Sequence, residues 1–127
     1  MQMLILDICG TEDTPEIKYN PAGNCFTLSG RSLPEDVTEF YKPVFEWLEE
    51  FSSNVSNPAT FQFKLEYFNT ASSKIILDIL MKLEELCSEN NNKITIEWYY
   101  NESDDDMLEA GEEYKELVEV PFNLISY

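Results

Sequence analysis

Phe61-Gln62-Phe63-Lys64-Leu65-Glu66-Tyr67-Phe68-Asn69-Thr70-Ala71-Ser72-Ser73-Lys74 holds both sides of a strand–helix junction. Phe61, Phe63, Leu65 and Tyr67 alternate with Gln62, Lys64 and Glu66, which predicts a strand with one buried and one wet face. Asn69 or Thr70 then suits a helix N-cap, where a side-chain oxygen accepts from an unpaired backbone N–H. The helix is predicted over 71–89, stopped by Asn90-Asn91-Asn92. On its wheel Ile75, Ile76, Ile79, Leu80, Leu83, Leu86 and Cys87 form one broad apolar face. Leu77 and Met81 fall off that face, beside Lys74 and Glu84. Extended back one turn, Thr70 projects onto the same outer stripe, because seven and eleven residues are close to whole helical turns. Truncating Leu77 or Met81 to Ala is therefore expected to leave stability nearly intact.

Outward from the junction the same two periods recur. Ile94, Ile96 and Trp98 alternate with Thr95 and Glu97, as a second strand of this kind. Val118, Val120, Phe122 and Leu124 predict a closing strand, and Pro121 assigns it to a sheet edge. Upstream, 16–19 and 24–29 predict two strands joined by the turn Asn20-Pro21-Ala22-Gly23, with 1–9 as a short strand or arm. Ser32-Leu33-Pro34-Glu35 has the form of a capping box. Val37, Phe40, Tyr41, Val44, Leu48 and Phe51 follow at helical spacing, with a kink or break expected at Pro43. A loop is expected over 54–58. Asp104-Asp105-Asp106 precedes a third helical pattern, Met107, Ala110, Gly111, Tyr114 and Leu117, where acids suit the positive end of the helix dipole. The order is β-β-β-α-β-α-β-α-β. It predicts one α/β domain over 1–127, a mixed sheet with helices packed mainly on one face.

Composition narrows the function. The chain has 127 residues, 43% of them apolar and 13% aromatic, enough for a folded core. Twenty-five acidic against 8 basic residues give a net charge of −17, which makes nucleic acid and anionic membrane poor partners and favours a protein with a basic patch. No apolar run approaches the ~20 residues of a membrane span. The apolar start lacks a basic leader and is interrupted by Asp7, so a secretory signal is not expected and the chain is assigned to the cytoplasm.

The absence of histidine removes the usual general base, the partner of a Ser or Cys nucleophile, and the commonest transition-metal ligand. Cys9, Cys25 and Cys87 have neither an even count nor metal-ligand spacing, and are expected as reduced thiols. The Asp104–106 cluster lacks the residue order of a calcium loop, and no phosphate-cradling glycine motif occurs, so no metal or cofactor is expected. A small acid–base or metal-dependent enzyme is the weaker reading, since nothing singles out one carboxylate pair.

The junction is the better candidate. A phosphate on Thr70 would sit at a helix N-terminus with Lys74 one turn on, tolerable for the fold. It would also add a charge of about −1.5 to −2 beside Leu77 and Met81, so a partner covering that stripe would have to desolvate it. Ser72 and Ser73 are nearby alternative hydroxyls. The predicted contact set is Asn69, Ser72, Ser73, Lys74, Leu77 and Met81.

Several spaced motifs together resemble the SiaC-type regulatory phosphoproteins. These are Thr14-Pro15-Glu16-Ile17, Gly30-Arg31-Ser32-Leu33-Pro34-Glu35-Asp36, Phe40-Tyr41-Lys42-Pro43-Val44 with Trp47-Leu48, Phe68-Asn69-Thr70-Ala71-Ser72-Ser73-Lys74, Trp98-Tyr99-Tyr100, and Glu109-Ala110-Gly111-Glu112. Leu33 stands where Tyr is usual and Ala71 where Ser is usual, and neither change removes the acceptor. The resemblance implies a STAS-like fold and phosphorylation at Thr70 by a protein kinase, reversed by a PP2C-like phosphatase. It implies that the unphosphorylated form binds and stimulates a diguanylate cyclase, raising cyclic di-GMP and promoting aggregation or biofilm growth. By analogy with STAS proteins, the alternative is an anti-sigma-factor-antagonist-like partner switch that controls transcription.

Overall fold

A computed structural model describes residues 5–54, 58–89 and 93–127. Among the described residues the chain order is β1 (Asp7–Ile8), β2 (Glu16–Asn20), β3 (Cys25–Ser32), α1 (Val37–Asn54), β4 (Ala59–Phe68), α2 (Thr70–Glu89), β5 (Ile94–Tyr100), α3 (Asp105–Leu117) and β6 (Phe122–Ser126). The start of the expected N-terminal arm, part of the 54–58 loop and the Asn90-Asn91-Asn92 stop lie outside the described residues.

The strands form a six-stranded sheet in chain order. β1–β2 and β2–β3 pair antiparallel, and β3–β4, β4–β5 and β5–β6 pair parallel. Each parallel step crosses over through a helix. Right-handed crossovers that all advance in one direction put their helices on the same side, so the three described helices share one core with the sheet. Its centre is Phe26, Leu28, Phe61, Phe63, Leu65, Ile94, Ile96 and Trp98 from the strands, with Tyr41, Leu48, Ile76, Ile79 and Leu83 above them. Thr27, Gln62, Glu97 and Tyr99 lie on the other face, half-buried and joined by hydrogen bonds across the strands.

Four local expectations are corrected. Ser32 is not a helix cap. β3 runs on through Ser32, and α1 starts at Val37 under Asp36, whose Oδ1 accepts from Glu39 N at 3.1 Å and whose carbonyl accepts from Phe40 N at 3.0 Å. Pro43 does not break α1. It lies in the second turn on the exposed side, and the helix continues to Asn54. The closing strand starts at Phe122, so Val118 and Val120 are buried in the segment before it. It remains an edge strand, with Pro121 as its lead-in.

The fourth correction is Tyr67, which is 46% exposed instead of buried with Phe61, Phe63 and Leu65. Pairing runs from Gly30↔Leu65 to Arg31↔Tyr67, leaving Glu66 as an extra residue on β4. One extra residue inverts the side-chain alternation beyond it. Tyr67 therefore turns outward, where the Arg31 guanidinium lies 5.5 Å from its ring centre, and Phe68 turns inward against Trp98. Gly30, opposite the bulge, has φ +106°, a conformation that L side chains rarely adopt.

α3 is held down by Trp98, whose Nε1 donates to the Met107 carbonyl at 3.0 Å and whose ring meets Tyr114 edge-on. Gly111 permits that approach. A Cβ there would stand 2.5 Å from Trp98 Cδ1 and 2.7 Å from Leu124 Cδ2. Ala is the better helix former by ~1 kcal/mol, but overpacking of this kind costs ~1–3 kcal/mol. Gly111→Ala is therefore expected to lower the urea midpoint of unfolding despite its propensity gain. A variant as stable as the wild type would contradict this packing of α3.

Candidate functional site: the β4–α2 junction

Asn69 is the N-cap of α2. Its Oδ1 accepts from Ser72 N at 2.9 Å and its carbonyl from Ser73 N at 3.0 Å. Thr70 is thus the first helical residue, and it is exposed. The parallel strands β3, β4 and β5 all end at this edge of the sheet, and the carboxyl ends of parallel strands are the usual ligand side of such a fold. Asn69 N also donates to the Ser32 carbonyl at 3.1 Å, which ties the junction to the end of β3.

The three hydroxyls of the junction have different fates. Ser72 is fully buried, and its Oγ donates to the Ser32 carbonyl at 2.9 Å. It also lies 2.8 Å from Ser32 Oγ, which in turn lies 2.6 Å from the Tyr41 hydroxyl. Each hydroxyl carries one hydrogen. With the Ser72 hydrogen committed to the carbonyl, Ser32 must donate to Ser72 and Tyr41 must donate to Ser32. Burial pushes the Tyr41 hydroxyl up to about 12, outweighing the opposite effect of its bond to Ser32, so Tyr41 keeps the proton this chain requires. Ser73 is half-buried. The Tyr114 hydroxyl donates to its carbonyl at 2.8 Å, which leaves Ser73 Oγ to donate to Tyr114 at 3.1 Å. Burial raises the Tyr114 hydroxyl too, keeping it a donor.

Thr70 is left as the accessible hydroxyl of the three, and among the described residues no side chain hydrogen-bonds to it. Ser72 is removed from the predicted contact set, because its side chain is enclosed and committed. Asn69 and Ser73 are half-buried, and Lys74 is exposed and without an ion pair among the described residues. Met81 is 50% exposed on the stripe that Thr70 opens. Leu77 shares the stripe but is half-buried, since α3 covers its flank and it packs against the core. Its truncation is therefore expected to cost stability, unlike the expectation from the helical wheel. Leu117, the last residue of the third helical pattern, is 61% exposed beside it.

Among the described residues, no group of three Cys, Asp or Glu side chains stands close enough to hold a metal ion, and no helix is long and apolar enough to cross a membrane. Fold and junction together define a small α/β domain with an exposed threonine at a helix start. Residues 8–127 match the SiaC family regulatory phosphoproteins, and the chain belongs to this family. It is 32% identical over 117 residues to an uncharacterized protein of Pseudomonas aeruginosa (strain UCBPP-PA14), covering 92% of each chain. Apo-SiaC of Pseudomonas aeruginosa superposes with a TM-score of 0.87 at 31% identity, over 97% of this chain and 99% of that one. SiaC in complex with the diguanylate cyclase SiaD, of which it is the activator, superposes at 0.88 with 32% identity, over 96% and 99% of the two chains.

The hydroxyl chain separates two substitutions only two residues apart. Ser72→Ala leaves the buried Ser32 hydroxyl hydrogen without an acceptor and the Ser32 carbonyl with Asn69 N alone, and should cost ~1–3 kcal/mol in chemical unfolding. Thr70→Ala should stay within ~0.5 kcal/mol of the wild type, as expected for a surface change. Equal losses would show that Thr70 is structural.

Proposed function

We propose that the protein is a non-catalytic cytoplasmic switch whose unphosphorylated form binds and stimulates a diguanylate cyclase. A protein kinase phosphorylates Thr70, and a PP2C-like phosphatase restores the active form. The observation that carries this reading is the isolation of Thr70. It is the exposed hydroxyl of the junction, it opens α2, and it shares a stripe with Met81 and the rim of Leu77. The pairing of the related SiaC with SiaD supports the choice of a cyclase as effector.

The physical step is local. Phosphate at Thr70 lies at the positive end of the α2 dipole, so the fold tolerates it. A partner seated on Asn69, Ser73, Lys74, Leu77 and Met81 would have to bury that phosphate or leave. Burying an uncompensated charge is costly, so binding is lost while the domain stays folded. The −17 charge disfavours nucleic acid as the output target.

The test measures cyclic di-GMP formation by each GGDEF-domain cyclase of the host, purified, with wild-type, Thr70→Ala and Thr70→Glu proteins. Stimulation of one cyclase by wild type and Thr70→Ala, reduced several-fold by Thr70→Glu, is the expected result. The glutamate should act more weakly than phosphate, having less charge and fewer acceptor oxygens. Equal stimulation by all three would remove Thr70 from the switch.

A further inference from the structure

β6 is an edge of the sheet, bonded on one side to β5. The parallel register fixes which of its backbone groups that pairing uses. Ile96 N donates to the Pro121 carbonyl at 2.8 Å, and Tyr127 N donates to the Tyr100 carbonyl at 3.0 Å. Between these anchors Ile96↔Phe122 and Tyr100↔Ser126 are in register, so the odd-numbered residues turn their N–H and C=O to β5. Phe122, Leu124 and Ser126 therefore turn theirs outward, along a line of roughly 13 Å. Among the described residues, no loop or further element hydrogen-bonds to the backbone of these residues.

Exposed edges are normally blunted by charge, proline or shortness, because they recruit other strands. The opposite edge follows that rule, since β1 is 2 residues long and carries Asp7. β6 does not. Residues 120–127 hold no charged side chain in a chain that is 26% charged, and Pro121 precedes the strand instead of interrupting it. The surroundings of this edge are selective. α3 turns Ala110, Glu113, Tyr114 and Leu117 toward α2. At ~100° per residue its opposite flank, which overhangs β6, is Leu108, Glu112 and Lys115, with Asp105 and Glu116 next to them. Leu108 and Leu124 are half-buried, and the exposed acids of this flank outnumber Lys115. On the other face of β6 lies Ile125, half-buried.

We infer that β6 is the docking edge for an extended segment of a protein partner in which basic and apolar residues alternate. The segment adds an antiparallel strand, the more stable pairing, with main-chain bonds to Phe122, Leu124 and Ser126. Its residues directly opposite these share their face of the sheet, the α3 face. Those residues are lysine or arginine, with stems on Leu108 and Leu124 and charges that reach Glu112 and Asp105. The residues between them are apolar and lie beside Ile125. A second copy is the wrong occupant. Antiparallel pairing of β6 with its own copy keeps both α3 helices on one face and sets their acidic flanks against each other. β5 and α3 separate this edge from the β4–α2 junction, so the segment is held whatever the state of Thr70.

The test adds short capped peptides to the full chain and reads site and Kd by amide NMR and amide exchange. The probe alternates lysine and valine. Its controls are the block isomer of the same composition, an alternation of glutamate and valine, and the probe N-methylated on every lysine or on every valine. The probe should slow exchange at Phe122, Leu124 and Ser126 and bind at least ~5-fold more tightly than the block isomer and the acidic peptide, as one or two exposed charge pairs allow. N-methylation of the lysines should abolish binding, because those residues carry the strand bonds, and N-methylation of the valines should spare it. Ser126→Pro removes one outward N–H without touching the bonds to β5, and edge strands tolerate proline. It and Glu112→Lys should each weaken the probe at least ~5-fold with unfolding unchanged, while Thr70→Glu binds it like the wild type. No binding, equal binding of the block or acidic peptide, indifference to lysine N-methylation, or loss of binding in Thr70→Glu would overturn the inference. So would slowed exchange along β6 in the free protein that fades on dilution, which would give the edge to a second copy.

Discussion

Three hydroxyl groups and a carbonyl meet in the interior where β3, α1 and α2 converge, and water cannot reach Ser32 or Ser72. A buried polar group left unpaired costs as much as a lost hydrogen bond, so these groups must satisfy one another. They do so in a single order, from Tyr41 to Ser32 to Ser72 to the Ser32 carbonyl. That order pins the first turn of α2 to the end of β3 and to the flank of α1. Every property of the junction depends on it. Ser72 goes inward, Asn69 is left to cap the helix, and Thr70, two residues before Ser72, is turned outward.

The rest of the fold delivers the junction to the surface. Consecutive right-handed crossovers place the helices on one side and bring the carboxyl ends of the parallel strands to one edge. The bulge at Glu66 completes this. Without the extra residue Phe68 would point away from Trp98, and the strand would enter the helix half a pleat out of phase. α3 then closes over one flank of α2 through Tyr114, lies on the sheet through Gly111, and leaves Leu117 exposed.

Much of this was readable in the chain. The alternation of Phe61, Phe63 and Leu65, the apolar face of α2 and the order of elements follow from periodicity, because burial on one side imposes period two on strands and 3.6 on helices. A cap at Asn69 or Thr70 and the outward stripe of Thr70 and Met81 follow from short-range geometry, and the structure gives the cap to Asn69. Other features were not readable, because each depends on a residue distant in sequence. Tyr67 faces out because of a register change against Gly30. Ser32 resembles a helix cap, since Ser-x-x-Glu fits that pattern, yet its hydroxyl is drawn inward by Tyr41 and Ser72. Leu77 lies off the apolar face of its own helix but is half-covered by α3, and Leu117 continues the apolar pattern of α3 but lies past the area its neighbours cover. A helical wheel treats a helix as if it had one neighbour, and α2 has the sheet, α1 and α3.

The hydroxyl chain holds the first turn of α2, and Thr70 with it, in place, so the phosphate proposed for Thr70 need not alter the fold in order to act. The most direct measurement compares amide hydrogen exchange of the unmodified protein with that of protein carrying phosphothreonine at position 70. Local action requires changes confined to the end of β4 and the first turns of α2, with unchanged protection through α1 and the central strands. Loss of protection at Tyr41, along β3, or across the whole domain would contradict it, since the phosphate would then act by opening the hydroxyl chain and not by its charge at the surface.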